Sequence, residues 1–288
     1  MSRPFISSSS NPRLKAIRRL RRAPRRNGDG LFIVDGYRQL ACALDAGARV
    51  SELYVAPDLY LGESEADLAA LAERRGAQVL ELSAEAFASI AGDTRPDGTV
   101  ALVERWPMTL QRLRLGQDPL LLVGEAIERP GNLGTIVRAT CAAGADAVIT
   151  CGCATDPFHA DVVRGSVGTL FKVPVARVDT AGAVEWLRQR EIRIVVASPD
   201  ADLPHWQSDF TRPSAIVVGN ERVGVTDAWL DAADELVQIP MPGPADSLNV
   251  AVAAGVALFE AVRQRHAQKG AVTEVRQDRD NPTFRVCP

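Results

Sequence analysis

Apolar and polar positions divide this chain into short hydrophobic runs that alternate with stretches of helical spacing. Leu31-Phe32-Ile33-Val34 predicts a strand closed by Asp35-Gly36, and Tyr37–Ala46 a helix ended by Gly47. A strand over Val50–Ala56, a helix over Glu63–Arg75 ended by Gly76, and a strand over Ala77–Leu82 follow. Ser83 is placed to cap a helix over Ala84–Ala91, and Thr99–Val103 is a closing strand. Ahead of them, Asn11–Leu20 reads as a short basic helix leading into an Arg-rich turn. Beyond Trp106–Asp118, a linker bounded by Pro119, the alternation lengthens. Strands are expected at Leu120–Gly124, Ala147–Thr150, Lys172–Ala176, Ile192–Ala197, Ala215–Val218 and Glu235–Ile239. Helices are expected near Leu133–Ala143, Asp161–Val167, Ala181–Arg190, Asp227–Ala232 and Val250–His266. Runs apolar throughout, joined by helices, predict an α/β fold with a parallel sheet covered on both faces.

Two strand ends stand out. Ala215–Val218 stops at Gly219, and Glu235–Ile239 stops at Pro240-Met241-Pro242-Gly243-Pro244, a stiff open loop that continues neither strand nor helix. Ser247-Leu248-Asn249 then leads into a helix whose alanines and Gly255 permit close packing. Ligands of parallel sheets sit at carboxyl strand ends, so these loops are the candidate site. No G-x-G-x-x-G or Walker sequence follows any strand, which argues against dinucleotides and nucleoside triphosphates.

The 288 residues, 46% hydrophobic, suffice for one large domain or two ordinary ones. No apolar run is long enough to span a membrane, and the basic, serine-rich start lacks the apolar core of a secretory signal. Five irregularly spaced cysteines fit reduced cytosolic thiols, and Cys151-Gly152-Cys153 lacks a second pair of metal ligands. Net charge is −3, yet Arg18, Arg19, Arg21, Arg22, Arg25 and Arg26 crowd a start that has no acidic residue before Asp29. Such a cluster either binds RNA phosphates or is a solvated basic tail.

GNERVGV (219–225) and IPMPGPADSLNVAVAAG (239–255), with ERPGNLGTIVRATCAAGA (128–145) upstream, resemble the three motifs of the SpoU/TrmH branch of the SPOUT RNA methyltransferases. The resemblance implies a deep trefoil knot, bound S-adenosylmethionine, an obligate homodimer, and ribose 2′-O-methylation in the cytoplasm. By it, residues 119–266 form the SPOUT domain and 31–105 a substrate-binding domain like ribosomal protein L30e. A basic segment over 1–30, the linker over 106–118 and a polar tail over 267–288 complete the chain. Gly219, Ile239 and Leu248 fall where the family's backbone contacts the cofactor, with Asn220, Glu221, Pro240, Met241, Ser247 and Asn249 beside them and Ser198 after the preceding strand. Ile239 and Leu248 also read as simple core residues.

The resemblance gives Arg138 the catalytic role; an arginine surrenders its proton too reluctantly to be a base, so phosphate binding and stabilisation of developing alkoxide charge suit it better. Asn132, Asn249, Glu221 and Ser247 are its expected companions, and Arg129 and Arg164 further phosphate contacts. Arg222-Val223 departs from the usual second motif. The implied substrate is ribosomal RNA, most readily large-subunit (23S) rRNA, since an N-terminal domain of this kind accompanies the rRNA enzymes; some of those confer resistance to ribosome-targeting antibiotics. A tRNA methyltransferase and a non-catalytic ribosome-assembly factor are the alternatives. No metal or membrane partner is expected.

Overall fold

The computed structural model describes residues 3–22, 30–92, 96–220 and 222–268. Arg25, Arg26, Glu221 and nearly all of the predicted tail lie outside them. The chain divides into two compact units, Met1–Trp106 with Asp156–Lys172, and Pro107–Thr155 with Val173–Val286.

In the first unit, β1 (Phe5–Ile6) and α1 (Pro12–Arg22) precede β2 (Leu31–Asp35), α2 (Tyr37–Asp45), β3 (Val50–Val55), α3 (Ser64–Arg74), β4 (Gln78–Leu82), α4 (Ala84–Ala88) and β5 (Thr99–Glu104). The five-stranded sheet runs β1-β4-β3-β5-β2. β5 is antiparallel to both its neighbours, and the other pairs are parallel. Ser83 caps α4 by accepting from the Ala86 N–H, as its position predicts. Leu14, Ile17 and Leu20 of α1, spaced at successive turns, enter a core with Ile33, Leu80, Leu82 and Phe87.

The segment Asp156–Lys172, with α6 (Ala160–Gly165), joins this unit through aromatic packing. Phe158 meets Phe32 at 4.7 Å and Trp106 at 4.8 Å between ring centroids. Arg105 lies over the Phe158 ring and bonds Asp156 at 2.9 Å. Local spacing carries no sign of an association between residues so far apart in sequence.

The second unit carries a seven-stranded, wholly parallel sheet ordered β10-β12-β9-β11-β6-β7-β8. Its elements are β6 (Leu120–Glu125), α5 (Pro130–Ala142), β7 (Ala147–Cys151), β8 (Val175–Val178), α7 (Thr180–Arg188), β9 (Arg193–Ala197), β10 (Leu203–Pro204), β11 (Ser214–Val218), α8 (Asp227–Ala232), β12 (Glu235–Gln238) and α9 (Val250–Gln268). β6, β7 and β11 are buried at every residue, which is why they read as uninterrupted apolar runs. The strand predicted at Lys172 starts instead at Val175: Thr169–Phe171 is a tight 3₁₀ turn, and Pro174 has no N–H to give a ladder. β1 and β10 are two residues long, too short to show a period. α9 runs to Gln268, two residues past its expected end at His266.

β12, β9 and β11 are neighbours. Their carboxyl ends therefore deliver Ile239, Ser198 and Gly219 side by side, although these residues are far apart in the chain.

Candidate cofactor and substrate site

A cavity of about 500 Å³ opens at these three strand ends. Its wall includes Ser198, Gly219, Asn220, Ile239, Met241, Ser247 and Leu248 of the residues singled out from sequence. Pro240 and Asn249 are not part of that wall. The volume falls within the roughly 300–1,000 Å³ usual for a cofactor or small ligand. Leu230, Ile239, Leu248 and Ala253 give apolar surface, while Asp200, Asp227 and Asp246 add carboxylates suited to hydroxyl and ammonium groups.

Gly219 fixes the shape of this cavity. A Cβ there would lie 2.4 Å from the carbonyl carbon and oxygen of Gly224 and 2.6 Å from the Val225 nitrogen. Asn220 and Gly224 then exchange backbone hydrogen bonds, both 2.9 Å. The loop is thus a tight turn whose two limbs touch at glycine. Its far limb is anchored by Glu125 at the end of β6, which is 3% exposed. Glu125 accepts from the Thr226 N–H at 2.7 Å, from Thr226 Oγ1 at 2.8 Å and from Thr180 Oγ1 at 3.0 Å. Sequence reading missed Glu125; its one signal is an acidic residue directly after a buried strand.

A second cavity, about 270 Å³, shares Asn220, Arg222 and Val250 with the first and adds Ala126, Ile127, Glu128, Arg129 and Asn132. Asn220 donates from Nδ2 to Ala126 O at 3.2 Å and to Glu128 Oε1 at 3.1 Å. Asn249 donates to Asn132 Oδ1 at 3.2 Å, joining the head of α9 to the first turn of α5. The Asn249 Oδ1 also accepts from the Ala251 N–H at 3.0 Å, an N-cap for α9. Arg222 and Arg129 are exposed on this second cavity, and Glu128 was not foreseen.

Arg138 lies on the exposed side of α5 and lines neither cavity of its own chain. Its side chain makes no hydrogen bond or ion pair with the described residues. Arg164 is in the first unit, bonded to Gly92 O at 2.7 Å and Asp161 at 2.6 Å. Arg18 bonds Ser89 Oγ and Ser9 O, and Arg21 bonds Asp35 and Ile90 O, whereas Arg19 and Arg22 are exposed. Burial pushes the Cys151 thiol up to about 12, with Cys153 and Glu125 adding to the rise, so it is an inert core residue.

Residues 119–259 match the model of the SpoU rRNA methylase family, and residues 11–101 match an MRM3-like substrate-binding domain. A 23S rRNA (uridine(2479)-2′-O)-methyltransferase from Streptomyces viridochromogenes is 34% identical over 258 residues, covering 86% of this chain and 88% of that protein. The chain belongs to the SpoU methylase family. The 23S rRNA (guanosine(2553)-2′-O)-methyltransferase RlmP of Bacillus subtilis is 29% identical, over 88% of this chain and 97% of that one. Among solved structures, an AdoMet-bound rRNA methyltransferase from Sinorhizobium meliloti superposes with a TM-score of 0.82 at 31% identity, covering 90% of this chain and 97% of that chain. SpoU membership accounts for the order of the three motifs and for the parallel sheet that carries them.

Proposed function

We propose that this chain is an S-adenosylmethionine-dependent methyltransferase of ribose 2′-hydroxyls in ribosomal RNA, with large-subunit (23S) rRNA as the substrate. One observation carries the reading: adjacent strand ends build a glycine-pinched cavity that adjoins a polar one edged by arginines. Similarity to 23S rRNA methyltransferases along most of the chain supports the substrate. In this reading the trefoil knot of the family shapes the cavity loops, and the N-terminal unit is an L30e-like RNA-binding domain. The enzyme works in the cytoplasm.

Bound S-adenosylmethionine supplies an electrophilic methyl carbon. The main chain at Gly219, Ile239 and Leu248 would hold its adenosyl part, with Ser198, Asn220, Met241 and Ser247 around it. Asn132 and Asn249 orient the ribose hydroxyl at the second cavity. Arg138 binds a substrate phosphate and stabilises alkoxide charge as the hydroxyl proton leaves to that phosphate or to water.

Arg138 does this at the cavity of a second copy. It is exposed on the same side of α5 as Thr135 and Ala142, and α5 packs against α9. α9 itself presents Val252, Val256 and Phe259, at i, i+4 and i+7, 36–50% exposed. A homodimer that buries this stripe brings Arg138 to its partner's site.

Incubation with methyl-labelled cofactor and either ribosomal subunits or bulk tRNA tests the substrate. Label in large-subunit rRNA is expected, and label in tRNA alone would overturn the rRNA assignment. A map of ribose methylation in rRNA from cells with and without the protein then locates the nucleotide.

A further inference from the structure

α1 sorts its cations by face. Leu14, Ile17 and Leu20 point into the core of the first unit. Three arginines are committed within that unit. Arg13 bonds Glu52 at 3.1 Å and Gln78 at 2.9 Å. Arg18 bonds Ser89 Oγ at 2.9 Å and Ser9 O at 3.0 Å. Arg21 holds both oxygens of Asp35 at 2.7 Å and Ile90 O at 2.7 Å. Lys15, Arg19 and Arg22 differ. They follow one another at i, i+4 and i+7 and are exposed, and their side chains make no hydrogen bond or ion pair with the described residues. At about 1.5 Å of rise per residue the stripe is about 10 Å long. No acidic residue in α1 neutralises it.

We propose that Lys15, Arg19 and Arg22 form a phosphate-binding track for the RNA, whereas Arg18 and Arg21 brace the unit and leave RNA affinity to the stripe. The assignment rests on the rRNA reading and refines it, because sequence clustering alone treats all these cations alike. Two features favour a polyanionic backbone over an acidic protein. Helical spacing holds the charges on one rigid line, which suits repeated phosphates. The exposed face of α1 otherwise offers only Pro12, Arg13 and Ala16, without the large apolar anchor that a protein interface builds at its centre. Each cation that neutralises a phosphate releases counterions, so the track has a thermodynamic signature in the salt dependence of binding.

The test titrates full-length protein with a 23S rRNA transcript between about 50 and 200 mM salt. A triple variant, Lys15→Gln with Arg19→Gln and Arg22→Gln, is compared with a double variant, Arg18→Gln with Arg21→Gln. Melting temperature and cofactor affinity are measured alongside. The triple variant is expected to lose about two units of the log–log salt slope and on the order of tenfold or more in affinity. Its melting temperature and cofactor affinity should match wild type. The double variant should melt lower and, under conditions where it is folded, keep the wild-type slope. An unchanged slope in the triple variant, or a reduced slope in the folded double variant alone, overturns the track while the rRNA reading stands. Wild-type protein that binds the transcript without salt dependence overturns the track as well, and methylation of ribosomal subunits then decides the rRNA reading separately.

Discussion

Asn249 donates from Nδ2 to Asn132 Oδ1 at 3.2 Å, tying the head of α9 to the first turn of α5 across 117 residues of sequence. The pair sets the polar end of the second cavity, where Asn132 is part of the wall. Asn249→Asp separates its two jobs. Aspartate caps a helix as well as asparagine, so α9 keeps its N-cap. The carboxylate cannot donate, so Asn132 must turn its amide to meet it and no longer presents the same group to a substrate. The melting temperature is expected to change little, while kcat on an rRNA fragment falls at least tenfold, about 1.4 kcal/mol of barrier. Wild-type turnover in this variant would remove the pair from the chemistry.

Gly219→Ala tests the pinched loop. The added methyl would meet Gly224 at 2.4 Å, and the atoms it meets are backbone, which yields less readily than a side chain. Overpacking of this kind costs about 1–3 kcal/mol. The loop must shift away from the cavity it shapes, so calorimetry should show S-adenosylmethionine affinity reduced by at least tenfold. Unimpaired cofactor binding would show that the loop is no part of that site.

The alternation of strands and helices was legible because each unit is a sheet whose buried strands must be apolar, so burial wrote itself into local pattern. The cavity at the carboxyl strand ends was legible too: Gly219 and Pro240-Met241-Pro242 interrupt apolar runs where the strands stop. What could not be read is what depends on distant partners. Phe158 packs with Phe32 and Trp106, and nothing near Phe158 in sequence reveals that. Arg18 and Arg21 looked like Arg19 and Arg22, since a count of arginines does not show that Ser89 and Asp35 hold two of them. Glu125 follows an apolar run with nothing local to show that it is buried, yet it is 3% exposed and accepts from Thr226 and Thr180.

Glu125→Gln removes the charge while keeping the shape. The amide can still accept from the Thr226 N–H with its oxygen, but its NH₂ then faces both the Thr180 and the Thr226 hydroxyls, which had donated to the other carboxylate oxygen, and both bonds must be remade. A loss of about 1–3 kcal/mol is expected from mismatched buried polar groups. Because Glu125 anchors the limb carrying Thr226, cofactor affinity should fall along with the melting temperature. Chemical denaturation and calorimetry on the same sample check both.

Arg138 on the exposed side of α5 makes a different prediction. Arg138→Ala should fold and bind S-adenosylmethionine like wild type, yet lose turnover by orders of magnitude, since removing one transition-state charge partner costs roughly 10²–10³ in rate. If the arginine serves the cavity of a second copy, Phe259→Asp on the apolar stripe of α9 should give monomers in sedimentation and abolish turnover even with Arg138 intact. Active monomers would refute action across a dimer.

Asp234 links stability to pH. Burial alone would raise its carboxyl pKa, but the Ile194 N–H at 2.7 Å and the Arg188 guanidinium at 2.6 Å outweigh it and hold the carboxyl below its ordinary range. A carboxyl depressed in the folded state binds its proton more readily when unfolded. Its contribution is therefore complete above the unfolded value, about 3.9, and fades as pH falls through the lower folded value. Asp234→Asn loses that contribution at every pH. The wild type should thus melt above the variant at neutral pH, and the gap should narrow only below about pH 4. A gap that stays constant down to pH 2, or that closes near pH 6, would mean that the Asp234 charge is not what joins α7 and β9 to the strand that follows it.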